Sequence, residues 1–124
     1  MAIERFEDVE AWQAARVLAA GIYDLSKVTP LGRDYGLRDQ IQRAAVSIMA
    51  NIAEGFDARS DLEFRRFLGY AYRSATETQS HLYVALDQGY ADDELFARLY
   101  DQAQTVKKLL NGFIRYLEGR SPKA

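Results

Sequence analysis

Arg43-Ala44-Ala45-Val46-Ser47-Ile48-Met49-Ala50-Asn51-Ile52-Ala53-Glu54-Gly55 is the stretch that decides the fold. Its apolar residues Ala44, Ala45, Ile48 and Ile52 recur with the three- and four-residue step of an α-helix, and Leu37, Ile41 and Phe56 extend the stripe at both ends. Arg43, Ser47, Asn51 and Glu54 interleave with them at offsets of four, eight and eleven. At ~100° per residue these four fall within roughly 80° of one another, centred about 125° from the middle of the apolar stripe. The segment therefore reads as an amphipathic helix with a core face and a compact polar ridge.

The same period runs through the rest of the chain. A first helix is expected over about 9–27, with Asp8 as its cap and Thr29, Pro30 and Gly32 as its stop. The second spans about 37–57. Ser60, with Glu63 three residues on, starts a third over about 60–88 whose core face is Phe64, Leu68, Ala71, Ala75, Leu82 and Leu86, and Gly89 closes it. Ala91, Asp92 and Asp93 open a fourth over about 92–118, with Leu95, Leu99, Val106, Leu110, Phe113 and Leu117 on one face and Gly119, Ser121 and Pro122 as its end. No window alternates with period two. Four long helices joined by short loops must run antiparallel in turn, so the predicted architecture is all-α, a single up-down-up-down four-helix bundle over 1–124.

Composition narrows the chemistry. The 124 residues suit one domain, and 48% apolar with 27% charged residues describes a chain that builds a core. With no cysteine, thiolate metal sites, disulfides and a Cys nucleophile are out, and a single histidine cannot provide the paired ligands of most catalytic metal centres. Glu77 and His81 stand four apart, whereas a di-iron bundle needs a Glu-x-x-His pair from each of two helices. No nucleophile motif accompanies His81, so the expectation is no enzyme, no cofactor and no metal. Apolar runs fall far short of ~20 residues, and Met1 to Asp8 is acidic rather than signal-like; the expected location is the cytoplasm, with no membrane contact.

Two surfaces invite a function. Glu63, Tyr70, Ser74, Glu77 and His81 form a ridge on the third helix that can face Arg43, Ser47, Asn51 and Glu54; the favoured reading of Arg43, Ser47, Asn51, Glu54 and Glu77 is a structural polar network that sets helix register or subunit pairing. The net charge of -2 does not suggest a polyanion binder, yet Phe96 to Ala124 carries six bases against two acids. Arg66 and Arg73 share one side of the third helix and Lys108 and Arg115 one side of the fourth, the geometry of a track for nucleic-acid phosphates. The apolar stripe of the first helix, Ala11, Trp12, Ala14, Ala15, Leu18, Ala19, Ile22, Tyr23 and Leu25, covers about half its circumference, more than the ~100° that a one-sided helix buries. Self-association is therefore expected.

Phe6-Glu7-Asp8-Val9, Trp12-Gln13, Tyr35-Gly36-Leu37, the Ser47-Ile48 and Asn51-Ile52-Ala53-Glu54-Gly55 run, Ser60, Glu63-Phe64, Phe67-Leu68, Ser74, Glu77 and Gly89-Tyr90 resemble the bacterial four-helix bundle family also called the S23 ribosomal protein or 23S rRNA intervening-sequence protein family. The resemblance covers residues 3 to 117 and departs at Met49, where the family often has proline. It implies a bundle that assembles into a ring, typically a homopentamer, and no catalytic residues. It also implies partners such as RNA, DNA or a nucleic-acid-handling protein, since some relatives lie within ribosomal RNA intervening sequences and others assist the reverse transcriptase of diversity-generating retroelements. Those accessory proteins are basic and this chain is slightly acidic. The rival reading is a scaffold that docks a protein partner without touching nucleic acid.

Overall fold

A computed structural model describes residues 3–120. It contains four α-helices, α1 Glu10–Val28, α2 Tyr35–Phe56, α3 Asp61–Asp87 and α4 Asp93–Arg120. Each packs against its neighbour in the chain, and α1 closes the square against α4. This is the expected up-down-up-down bundle.

The helix starts follow local chemistry more closely than the pattern of apolar residues. Asp8 does not cap α1: its carboxylate accepts from the amides of Glu4 and Arg5, at 3.2 and 3.3 Å, and so closes a 3-10 turn over Phe6–Asp8. Val9 takes the position before α1 with no side-chain cap. Helix α2 starts at Tyr35, earlier than the apolar period suggests, because Asp34 accepts from the Leu37 amide at 3.2 Å and caps it. Ser60 caps α3 through the Glu63 amide at 3.1 Å, while the Glu63 side chain is exposed and makes no return bond to Ser60. Helix α4 begins at Asp93, with Asp92 capping the Leu95 amide at 2.8 Å, and it runs through Gly119 to Arg120 rather than stopping there. Ser121 and Pro122, the other expected stops, lie outside the described residues.

Glycine at the end of α3 is a geometric necessity. Gly89 has φ +75°, a left-handed conformation that puts its amide on Leu86 O and the Tyr90 amide on Ala85 O. That reversal delivers Tyr90 to the opposite loop, where its hydroxyl donates to Asp34 Oδ2 at 3.0 Å. The Asp34 hydrogen bond, with burial and the carboxylate charge adding to it, raises the Tyr90 phenol above its ordinary value near 10.

The core is one continuous cluster. Leu18, Ile22, Leu25, Ile41, Ile48, Ile52, Leu68, Leu82, Leu99, Leu110 and Leu117 are fully buried, and the predicted faces of all four helices point inward. The wide stripe of α1 has an internal explanation. Ala11, Ala15, Leu18, Ala19, Ile22 and Leu25 are buried within a single copy, Trp12 and Ala14 partly so, and only Tyr23 of the nine is exposed. A corner helix of a square bundle touches two neighbours, α2 and α4 here, so the face it buries is wider than a one-sided stripe. The surplus assigned to a partner on α1 is thus largely spent inside the chain.

Gly55 of α2 lies tight against Phe64 and Phe67 of α3. A Cβ placed there would stand 2.8 Å from both Phe64 Cδ1 and Phe67 Cβ. By contrast, a Cβ at Gly69 would meet nothing within 4 Å. Gly55→Ala is expected to lower unfolding stability by about 1–2 kcal/mol through overpacking, while Gly69→Ala raises it by about 0.5–1 kcal/mol through helix propensity. Urea denaturation of the two variants checks this contrast in sign.

The Tyr90 bond carries a pH signature. Because the folded-state phenol titrates above the unfolded one, its contribution is fully present below the unfolded value near 10 and is lost as pH rises through the raised folded value. Tyr90→Phe is expected to melt below wild type at neutral pH, with the gap closing in alkaline buffer. Thermal melts across pH 7 to 11 read this directly.

Candidate functional site

Chain register determines what the polar ridges can do. The Ser74 hydroxyl donates to Ser47 Oγ at 3.0 Å across the α2–α3 seam. Asn51 Nδ2 donates to the same Ser47 Oγ at 3.0 Å and to Ser47 O at 2.8 Å. All three side chains are partly buried among Ala44, Ile48, Ala71 and Ala75, so the hydroxyls bind each other where little water competes. The two ridges meet at Ser47 and Ser74.

The network is smaller than the ridge. Arg43 and Glu54 are exposed, and among the described residues neither has an ion pair or a side-chain hydrogen bond. Glu77 bonds along its own helix to His81 Nε2 at 3.1 Å and does not cross to α2. The physical reason lies in position: Ser47 and Asn51 turn toward the seam, whereas Arg43, Glu54 and Glu77 stand at its outer rim, where water solvates them. Among the described residues no group of three or more His, Asp or Glu side chains is placed to hold a metal ion. Two surface clefts among the described residues lie away from Glu54, Glu77 and His81.

A second polar link ties α3 to α4. Gln79, only 5% exposed, donates to Gln104 Oε1 at 3.1 Å and to Tyr100 O at 3.4 Å, and accepts from Lys107 Nζ at 3.1 Å. Lys107 also lies 4.9 Å from the centre of the Tyr72 ring. This link went unread in the sequence, although Gln79 lies four residues after Ala75 on the buried side of α3, where a polar side chain must find partners.

The four predicted phosphate contacts stand at two heights on the outward faces of α3 and α4. Tyr72 against Lys107 and Phe64 against Phe113, with Arg65 paired to Glu118 at 3.6 Å, set the antiparallel register of α3 and α4. That register puts Arg73 near the height of Lys108 and Arg66 near that of Arg115, the two levels about 10 Å apart along the bundle. All four are exposed. None has an ion pair among the described residues, whereas Arg5, Arg38, Arg65 and Arg120 are each held by a carboxylate.

Residues 7–112 match the model of the 23S rRNA-intervening sequence protein family. The chain belongs to that family. A crystal structure from the same group, a protein of unknown function from the S23 ribosomal protein family of Bacteroides thetaiotaomicron, is similar with a TM-score of 0.77 and 27% identity over 84% of this chain and 97% of that one. No curated protein matches the sequence. The shared fold extends over nearly the whole of that relative. No helix of the described chain is long and apolar enough to cross a membrane.

Ser47 is the acceptor on which the seam converges. Ser47→Ala is expected to cost about 1–2 kcal/mol, because it strands the Ser74 hydroxyl and one Asn51 donor bond, while Arg43→Ala and Glu54→Ala stay within about 0.5 kcal/mol of wild type. Guanidinium unfolding of the three variants separates the seam from its rim.

Proposed function

We propose that this 23S rRNA-intervening sequence family protein is a non-enzymatic, cytoplasmic assembly module that binds nucleic acid through phosphate contacts from Arg66, Arg73, Lys108 and Arg115. The observation that carries the reading is the common register of these four exposed cations on neighbouring helices; like Arg43 and Arg59, they have no carboxylate partner among the described residues. A cation already paired must break that pair to bind a phosphate; a free one exchanges only water and counterions. The net charge of -2 does not oppose this, because potentials beyond a Debye length of ~8 Å are screened and the local arrangement governs contact.

The same module is proposed to act as a homo-oligomer, with a pentamer as the leading stoichiometry. What supports self-association is not α1 but exposed apolar surface elsewhere. Tyr83 is 50% and Val84 43% exposed, and Tyr83 joins Phe96 and Tyr100 in an aromatic cluster with ring centres 4.8 to 5.8 Å apart at the α3–α4 edge. Repetition of the cation set around a ring multiplies a weak grip through effective concentration.

A filter-binding titration tests the proposal. Affinity is expected to fall steeply with salt, and replacing Arg66 and Arg73 by Gln should reduce the slope of log affinity against log salt by about one for each cation removed from the contact. No binding at low salt removes the nucleic-acid reading. Sedimentation of the same samples is expected to give a multiple of the 14.1 kDa chain mass, five for a pentamer, and a monomer at all concentrations removes the assembly.

A further inference from the structure

We propose that the cleft between the start of α3 and the last turns of α4 seats an unpaired base, so that the nucleic acid this protein takes is single-stranded. The inference deepens the phosphate-binding reading and rests on it for the backbone contacts alone.

The cleft spans about 970 Å³ and lies open to solvent along one side. Its wall is aromatic. Phe56 meets Phe64 edge-on at 6.1 Å, Phe64 meets Phe113 at 5.2 Å, and Phe113 leads at 5.9 Å to Tyr116, whose side chain at the mouth is 58% exposed. Phe64 is buried and Phe56 and Phe113 are half-buried against the core, so the ring that can offer a face is Tyr116; the Arg120 guanidinium lies 5.5 Å from its centre on one side, and a base stacks on the other.

The rim charges favour an anion once internal pairs are set aside. Arg120 is held by both oxygens of Asp61 at 3.1 Å, and Asp8 by Arg5 and two backbone amides. Arg59 and Lys108 remain against Glu10, all three exposed. Lys108 belongs at once to the cleft and to the free cation set, so a strand running along α4 has its phosphates on Lys108 and Arg115 while a base turns inward.

Gly112 leaves space along the cleft wall. It lies inside α4 and lines the cleft, and a Cβ built there meets nothing within 4 Å. Glycine in a helix interior costs stability relative to alanine, and no packing within the chain demands one here. It keeps the cleft wall bare. A duplex cannot exploit such a cleft, because its bases are stacked and paired and show only their edges, whereas a single strand can splay a base outward onto aromatic rings.

The test is fluorescence anisotropy with the full chain, using a labelled oligouridylate and a blunt RNA duplex of equal length at one low salt concentration. The single strand is expected to bind at least tenfold tighter. Tyr116→Ala should weaken the single strand about fivefold or more and leave the duplex unchanged. Gly112→Met, which fills the cleft while improving helix propensity, should raise the melting temperature and still weaken the single strand. Equal affinities, or unchanged single-strand binding in both variants, overturn the proposal. Equal affinities that fall with salt and with Arg66→Gln leave the phosphate reading standing without the cleft. Single-strand binding that needs Tyr116 but not Arg66 or Arg73 leaves the cleft standing without the α3 cations. No binding of either probe overturns both.

Discussion

Two helix backbones can approach closely only where neither puts bulk between them, and that constraint at the α2–α3 seam governs the rest of this molecule. Gly55, Ala44, Ala71 and Ala75 leave room, and Ser47 and Ser74 fill the remaining gap with hydroxyls that satisfy one another. With the seam that tight, Phe64 is pressed between α2 and α4, in contact with Phe56 on one side and Phe113 on the other. That wedge is one of several contacts, with Tyr72–Lys107, Gln79–Gln104 and Arg65–Glu118, that hold α4 in register with α3. The run Ala53-Glu54-Gly55 is therefore best understood through its glycine rather than its glutamate, which faces water.

The fold was legible because helical periodicity is a statement about burial, and burial dominates in a bundle. Every residue assigned to the core faces of α2, α3 and α4 is buried or partly buried. Ends were less legible. Asp8 and Asp34 are both aspartates near a helix start, but their partners depend on how the chain enters, so one closes a 3-10 turn and the other caps α2. Width was misread for a physical reason: a helix at the corner of a square has two neighbours, and the sequence does not announce the second one.

The candidate site divides in the same way. Spacing on one helix placed Ser47 with Asn51, and Arg66 with Arg73, because intrahelical geometry is invariant. Which of those groups would cross to another helix depended on register. Hence Arg43, Glu54 and Glu77 fell outside the seam, while Gln79 with Lys107, and Tyr90 with Asp34, formed links between elements that no local spacing reveals. The aromatic cleft is of this second kind too, since Phe56, Phe64, Phe113 and Tyr116 come from three helices.

The two ends of the bundle are built on opposite principles. At one, Tyr90 laces the turn after α3 to the turn before α2, spanning 56 residues of chain with a single hydrogen bond. At the other, Arg120 and Asp61 join α4 to α3 beside an open hollow. A rod closed at one extremity and hollow at the other has a polarity that its up-down connectivity alone would not give it. Copies arranged side by side in the same sense would gather every hollow on a single rim, so that an assembly would have one face that receives and one that is sealed.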